Sequence, residues 1–331
     1  MNLLRPIPSL VVLSCALVAT HAGAQVPSAA PAPEPASALE PAPPPPASKP
    51  KPPPYSLPWQ LRPVMPGNVV RSDTAIGFYE TPTTRGGTAV ASTLLASYKI
   101  RPEFAPLLRV GLVSNSPPTD KNARTDLLNP VIGGTYGPML HPNFKLGLFL
   151  GVALPFGTGG GKEPHPQAAP ANAAGIRTRS AMDNAMFAVN YFTIFPGVGV
   201  AYVGHGFTAQ AEATLLRLTK ARGPKTADHA NTNFTTGLHL GYFILPQLSV
   251  GAELRHQRWL STPTAVKNDK TGTLRDTSTA AIGPRVHLKL GETTWLRPGI
   301  AYAFGLDKPM SNAKAAPTNF KIVQIDVPFV F

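Results

Sequence analysis

The chain has 331 residues, a formal net charge of +13 at pH 7 and a single cysteine. One cysteine excludes a disulfide scaffold and any zinc site built on several cysteines. So basic a balance raises nucleic-acid binding as a class, but the export features at the start of the chain argue against it.

Residues 1–24 read MNLLRPIPSLVVLSCALVATHAGA. Arg5 leads an apolar core from Leu10 to Ala19, and Ala22-Gly23-Ala24 is a small-residue cleavage site. This is the pattern of a secretory signal peptide, with an apolar run too short for a membrane span. Cleavage there makes Gln25 the first mature residue and removes Cys15. The alternative is a lipoprotein signal using Cys15, but "VLSC" is a poor fit because the apolar run continues past it.

Residues 25–58, QVPSAAPAPEPASALEPAPPPPASKPKPPPYSLP, are dominated by Pro and Ala. Proline fixes φ and removes a backbone donor, so helix and sheet are both blocked. Without apolar bulk no core can form. The expectation is a disordered, semi-stiff periplasmic spacer that can serve as a ligand for a periplasmic or cell-wall partner.

From residue 59 the texture changes. About twelve stretches of roughly ten residues follow, rich in Val, Leu, Ala, Thr, Gly and aromatics. They fall near 74–81, 88–100, 106–114, 129–140, 143–156, 183–195, 198–218, 232–244, 248–259, 277–290, 295–306 and 319–331, and a count between 10 and 14 fits the pattern. The sixth and seventh stay open, because AMFAVNYFTIFPGVGVAYVGHGF also reads as one long strand ending at Gly204-His205-Gly206. Connections alternate between short turns (101–106, 141–143, 203–207, 245–247, 291–294) and long polar loops (115–128, 157–182, 219–231, 260–276, 307–318). Short turns at one end and long loops at the other are the pattern of a transmembrane up-and-down β-barrel. An even strand number puts both ends of the chain in the periplasm.

Period-two alternation supports the same fold. Phe144, Leu146, Leu148, Leu150, Val152 and Leu154 face opposite Lys145, Gly147 and Gly151. Ala280, Ile282, Val286, Leu288 and Leu290 alternate with Thr279, Gly283, Arg285, His287 and Lys289. Ile300, Tyr302 and Phe304 alternate with Arg297, Gly299, Ala301 and Ala303. One face is apolar along the whole strand and the other mixes charge with small residues, which suits lipid outside and a polar lumen inside. Lumen rows rich in Gly and Ala leave room for water. Aromatics near the short turns (Tyr98, Phe104, Phe144, Tyr202, Phe207, Tyr242, Trp295, Phe329, Phe331) suit an interfacial girdle.

The chain ends on FKIVQIDVPFVF. Val323, Ile325, Val327, Phe329 and Phe331 share one face; Gln324, Asp326, Pro328 and Val330 share the other. This segment resembles the C-terminal assembly signal of Gram-negative outer-membrane barrels, a closing strand that ends on Phe. The resemblance extends over 59–331 as a pattern, and ALPFGTGG (153–160) is similar to the strand-to-loop step of small-solute outer-membrane channels. It implies that Phe331, Phe329 and Val327 are read by the barrel-assembly machinery, and that the last strand pairs with the first to remove the sheet edges.

No stretch calls for a cofactor or a catalytic site. Gly157–Lys162 lacks phosphate-loop spacing and a following helix. Gly204-His205-Gly206 lacks the Ser and Asn of outer-membrane phospholipases and sits on a predicted turn. His239, His256 and His287 have no partners at metal spacing. A hydrolase using the acids Glu212, Glu253 and Asp326 is the weakest reading.

Three basic and two acidic residues precede residue 59, leaving +12 for the barrel region. Loop residues Lys121, Arg124, Lys162, Arg177, Arg179, Lys220, Arg222, Lys225, Lys267, Lys270 and Arg275 are placed to meet lipopolysaccharide phosphates. Lys99, Arg109, Lys145, Arg255, Arg285, Lys289 and Arg297 are expected to face the lumen, against the acids Glu212, Glu253 and Asp326. Lys99, Arg109, Lys145, Lys289 and Arg297 lie close to the short turns and would form a basic collar that selects anions. The expected function is passive diffusion of small, preferably anionic solutes; the rival is a filled barrel that binds lipopolysaccharide or a surface partner.

Overall fold

The computed structural model describes residues 55–80, 86–118, 123–224, 228–268, 276–307 and 319–331. The expected signal peptide, most of the proline-rich segment and the loop cations Lys121, Lys225, Lys270 and Arg275 lie outside the described residues.

The strands in chain order are β1 (Val69–Glu80), β2 (Gly87–Ser97), β3 (Phe104–Ser116), β4 (Arg124–Leu127), β5 (Val131–Tyr136), β6 (Phe144–Ala153), β7 (Tyr191–Gly204), β8 (Phe207–Lys220), β9 (Ala230–Leu245), β10 (Leu248–Ser261), β11 (Asp276–Val286), β12 (Leu288–Lys289), β13 (Trp295–Leu296), β14 (Gly299–Gly305) and β15 (Asn319–Val330). β4 pairs only with β3, while the two-residue β12 and β13 extend the hairpin between β11 and β14. The other twelve form an antiparallel meander, each strand bonded to the next. β15 returns to β1 in a register running from Val69 opposite Val330 to Glu80 opposite Asn319. The twelve-strand sheet therefore closes on itself, as a strand structure in lipid requires.

The expected faces are the observed ones. Leu108, Val110 and Leu112 on β3, Leu148 and Leu150 on β6, and Ile300, Tyr302 and Phe304 on β14 are exposed outside the barrel. Ala105, Val113 and Asn115 on β3, Ala153 on β6, and Ala301 and Ala303 on β14 are buried inside. Tyr98, Phe144, Tyr242 and Phe331 are exposed near the short-turn end, and Phe144 meets Tyr202 edge-on.

Three elements differ from expectation. The open choice at 183–218 resolves as one strand (β7), a two-residue turn at His205-Gly206 and a second strand (β8). Both turn residues have positive φ, 52° and 76°, the backbone of a tight I′-type hairpin. Next, β1 begins at Val69 rather than residue 74, which brings Arg71 and Asp73 into the wall. Finally, the stretch read as a long polar loop at 157–182 contains the helix α1 (Ala168–Thr178), followed by the single turn α2 (Asn184–Phe187). Alanine favours the helix, and Pro170 is tolerated because it lies in the first turn. A third short helix, α3 (Thr264–Lys267), lies in the loop after β10.

The core of this protein lies inside the barrel. An eight-stranded barrel has just enough interior for its own side chains, whereas twelve strands leave space. From the long-loop end, Ala185, Met186 and Phe187 pack on Ala91, Val113, Val131, Phe195 and Leu216 of the wall. Ala174 of α1 packs with Ala75, Ala89, Ala303 and Phe320. At the other end Val64 packs on Ala201 and Val203.

Candidate functional site

Residues 55–68 enter the lumen at the short-turn end, rise to mid-barrel and descend to β1. Ser56 N–H donates to Thr208 beside the β7–β8 turn. Trp59 and Leu61 are fully buried at mid-height, against Gly251 and Gly237. Val64 lies against Gly147, and Pro66 against Gly137 near the β5–β6 turn. Four residues of the expected spacer, Tyr55–Pro58, therefore belong to the ordered, buried chain.

The lumen glycines correct an expectation. At Gly147, Gly237, Gly241 and Gly251 they do not leave room for water; the inserted segment occupies that room. A Cβ on Gly147 would stand 2.5 Å from the Val64 carbonyl oxygen, and one on Gly237 2.7 Å from the Leu61 side chain. A Cβ on Gly241 would collide with Ser56.

An irregular segment with no sheet partner must find other partners for its backbone groups. Charged wall residues supply them. Glu253 accepts from Trp59 N–H at 2.5 Å and from Gln60 N–H at 3.3 Å. Glu212 accepts from Arg62 N–H at 2.7 Å. Arg285 donates to the Leu57 carbonyl, and Arg71 to those of Pro58 and Trp59. Tyr55 hydroxyl donates to Gln210, whose amide donates to the Arg62 carbonyl. Glu212, Glu253 and Arg285 thus hold the insert in place, a role sequence alone did not assign to them.

The same wall groups are ion-paired. Asp326 meets Arg71 and Arg285, each at 2.7 Å. Arg255 meets Glu253 at 2.6 Å and also donates to Gln324 and Ser180. A second knot fixes the upper insert. Arg179 donates to both oxygens of Asp73 at 2.6 and 2.8 Å, and to Asp183 at 2.8 Å. Arg109 closes on Asp183 with two bonds of 2.6 and 3.1 Å. Burial alone would raise the Asp183 carboxyl; the Arg109 and Arg179 guanidiniums outweigh burial and hold it well below the usual carboxylate range.

Arg179 was expected in a loop at the lipopolysaccharide surface; it is instead fully buried and salt-bridged in the lumen. Arg124 pairs with Asp126, and Arg222 donates to the carbonyls of Val189 and Gly157. Of the expected basic collar, Arg109 is bound to Asp183. Lys145 is half-buried on the inward row of β6. Lys99 lies exposed beyond the end of β2, its N–H on Asn68, and Lys289 is exposed on β12. Arg297 is half-buried near the same end, and it has no carboxylate within 4.0 Å among the described residues.

His239 lies edge-on to Trp59, and His287 stacks on Phe243 while bonding Ser249. His256 bonds Ser278 on the outer face. Among the described residues no group of three His, Cys, Asp or Glu is placed to hold a metal ion.

A cavity of about 230 Å³ remains between the two inserts and the wall. Gly67, Val69, Ser97 and Val330 line it at the short-turn rim, and Met182, Asp183 and Met186 roof it. Arg62, Arg71, Arg109 and Arg297 reach it, as do Asp183 and Glu212.

A closed antiparallel barrel with an apolar exterior and an ion-paired interior is a transmembrane β-barrel of the outer-membrane kind. Solved structures similar in architecture include the NanC porin (9% identity, TM-score 0.45, 78% of this chain and 98% of that chain) and the KdgM porin (10%, 0.43, 79% and 99%). The COG4313 outer membrane channel from Pseudomonas putida F1 is similar at 12% identity, TM-score 0.47, over 82% of this chain and 98% of that chain. The likeness is one of fold. No family model matches the sequence, and no curated protein is similar to it in sequence.

Proposed function

We propose that this protein is an outer-membrane channel for passive diffusion of small, preferably anionic solutes, held narrow by two inserted segments. The observation that carries this reading is the cavity reaching the short-turn mouth with four arginines in its lining. The charged residues that line it are these four, Arg62, Arg71, Arg109 and Arg297, and the two acids Asp183 and Glu212. The surplus of two positive charges acts over about 8 Å at physiological salt, enough to span a narrow mouth. Purified protein in planar bilayers tests this through the reversal potential in a salt gradient. Anion preference that weakens when Lys145, Lys289 and Arg297 are replaced together by Glu supports the reading; cation preference in the wild type overturns it.

A closed barrel with a structural or interaction role is the second reading, favoured by how fully the inserts fill the lumen. Silence in bilayers from both the wild type and a chain lacking residues 55–67 would establish it.

A further inference from the structure

We propose that the lumenal cavity is a binding site for a small organic monoanion with an apolar body, a monocarboxylate, anchored by Arg297. This rests on the channel reading and names the solute class of the same lumen.

The cavity has two kinds of surface. Its walls are largely apolar, with Leu95, Leu107, Val131, Phe149, Met186 and Leu216 among them. Small-ligand pockets are built this way, from apolar walls and a few convergent polar groups. At about 230 Å³ it is below the roughly 300–1,000 Å³ of pockets for drug-sized molecules, so the occupant is small.

Four cations reach the cavity, and three already have carboxylate partners. Arg109 is forked onto Asp183, Arg71 is on Asp326, and Arg62 is near Glu212 at 3.5 Å. Arg297 has no such partner among the described residues. Its Nε is buried without a hydrogen-bond acceptor among the described residues. Its backbone is pinned on both sides, N–H on the Pro328 carbonyl at 2.9 Å and C=O on Arg285 at 2.7 Å. Its guanidinium lies 5.3 Å from the centre of the Trp295 ring. A preorganised guanidinium with free donors matches the planar fork of a carboxylate.

The charge and polarity of the site narrow the class. Among the described residues no second unpaired guanidinium lines the cavity, so a dianion gains one anchor and leaves its other charge against the apolar wall. A sugar would set hydroxyls against Leu, Val and Met with nothing to bond, which is costly. A cation meets Arg297 itself. A monocarboxylate with an aliphatic or aromatic body satisfies both surfaces.

Titration calorimetry of the purified, detergent-solubilised full chain tests this with three probes: benzoate, its neutral isostere benzamide, and phthalate. Benzoate is expected to bind at least tenfold tighter than benzamide and tighter than phthalate. Arg297→Gln should abolish the preference for benzoate, and Arg297→Lys should restore part of it. Leu107→Trp, which fills the cavity and leaves Arg297 intact, should weaken both benzoate and benzamide. Equal binding of benzoate and benzamide, or unchanged benzoate binding in Arg297→Gln, would overturn the site. Calorimetry does not depend on conduction. A silent barrel that binds benzoate removes the channel and keeps the site; a conducting barrel indifferent to benzoate does the reverse.

Discussion

The backbone N–H of Trp59 points at the carboxylate of Glu253, 194 positions along the chain, at 2.5 Å. The same carboxylate takes the Gln60 N–H and the Arg255 guanidinium. One buried side chain therefore terminates two backbone donors of the inserted segment, which has no strand to pair with. Glu253→Ala leaves both amides buried without an acceptor, at about 1–3 kcal/mol each. The expected result is a released insert in an intact barrel. Hydrogen exchange at Trp59 and Gln60 should accelerate by at least tenfold, while the folded barrel keeps its gel mobility before heating. Unchanged exchange would show that the arginine contacts to Pro58 and Trp59 carbonyls hold the segment alone.

Gly147 tests the insert from the other side. Its missing side chain faces a backbone atom, the Val64 carbonyl oxygen, which cannot swing away as a side-chain end can. Gly147→Val should displace the descending limb of the insert at Val64, costing about 1–3 kcal/mol of overpacking. If the barrel is a channel, conductance should rise toward that of a chain lacking residues 55–67. A variant that keeps wild-type conductance while the truncated chain conducts more would mean that the segment bends around the new side chain.

The outer face and the closing strand were legible in the sequence, because lipid enforces a strict period of two. The outward row Ile300, Tyr302, Phe304 and the inward row Arg297, Gly299, Ala301, Ala303 can be read without a structure. The inserted segment could not be read this way. Residues 56–66 follow no period, and several of their wall partners, Thr208, Glu253 and Arg285 among them, lie some 150–230 positions away. Arg71 and Asp73 were missed for a related reason: VVRSDTA interrupts its apolar face with Ser72, so the strand is visible only from its pairing with β2 and β15. Arg179 reads as one more loop cation until Asp73, 106 positions away, is seen to receive it. Glycine was the ambiguous signal, since the same row serves an open pore and a close-packed insert.

The upper insert should be acid-sensitive. Asp183 in its docked state stays ionised well below the usual carboxylate range, held there by Arg109 and Arg179. In an undocked loop it would titrate near about 3.9. A depressed docked value contributes stability that is fully present above the free value and lost as pH falls through the docked one. Docking is therefore intact above about pH 5 and weakens as pH drops below about 4. Asp183→Asn removes one partner of a buried pair, a loss of about 3–5 kcal/mol, and should mimic low pH. Pepsin followed by mass spectrometry reads this through cleavage near Phe187. The variant should be cut at pH 5, and the wild type only at lower pH. Equal resistance of both proteins at pH 5 would show that Asp73 alone secures Arg179, and equal cleavage of both would show that the insert is not protected by docking at all.

Phe331 separates assembly from stability. The ladder between β1 and β15 ends at Val69 opposite Val330, so the last residue adds no pair to it. Its polar and ring contacts among the described residues are an N–H to the Asn68 carbonyl at 3.2 Å and a ring contact with Phe329 at 5.8 Å between centroids. Such contacts are worth on the order of 1 kcal/mol, and the ring itself is 43% exposed. Deleting Phe331 should therefore leave barrel refolded in detergent or lipid almost as stable as the wild type. If the residue is instead needed for recognition before closure, the same deletion in cells should reduce folded, heat-modifiable protein in the outer membrane by at least tenfold and leave unfolded chain in the periplasm. The two measurements together decide. Normal amounts in the membrane would remove the recognition role, and a large loss of stability in the refolded barrel would return Phe331 to a structural one.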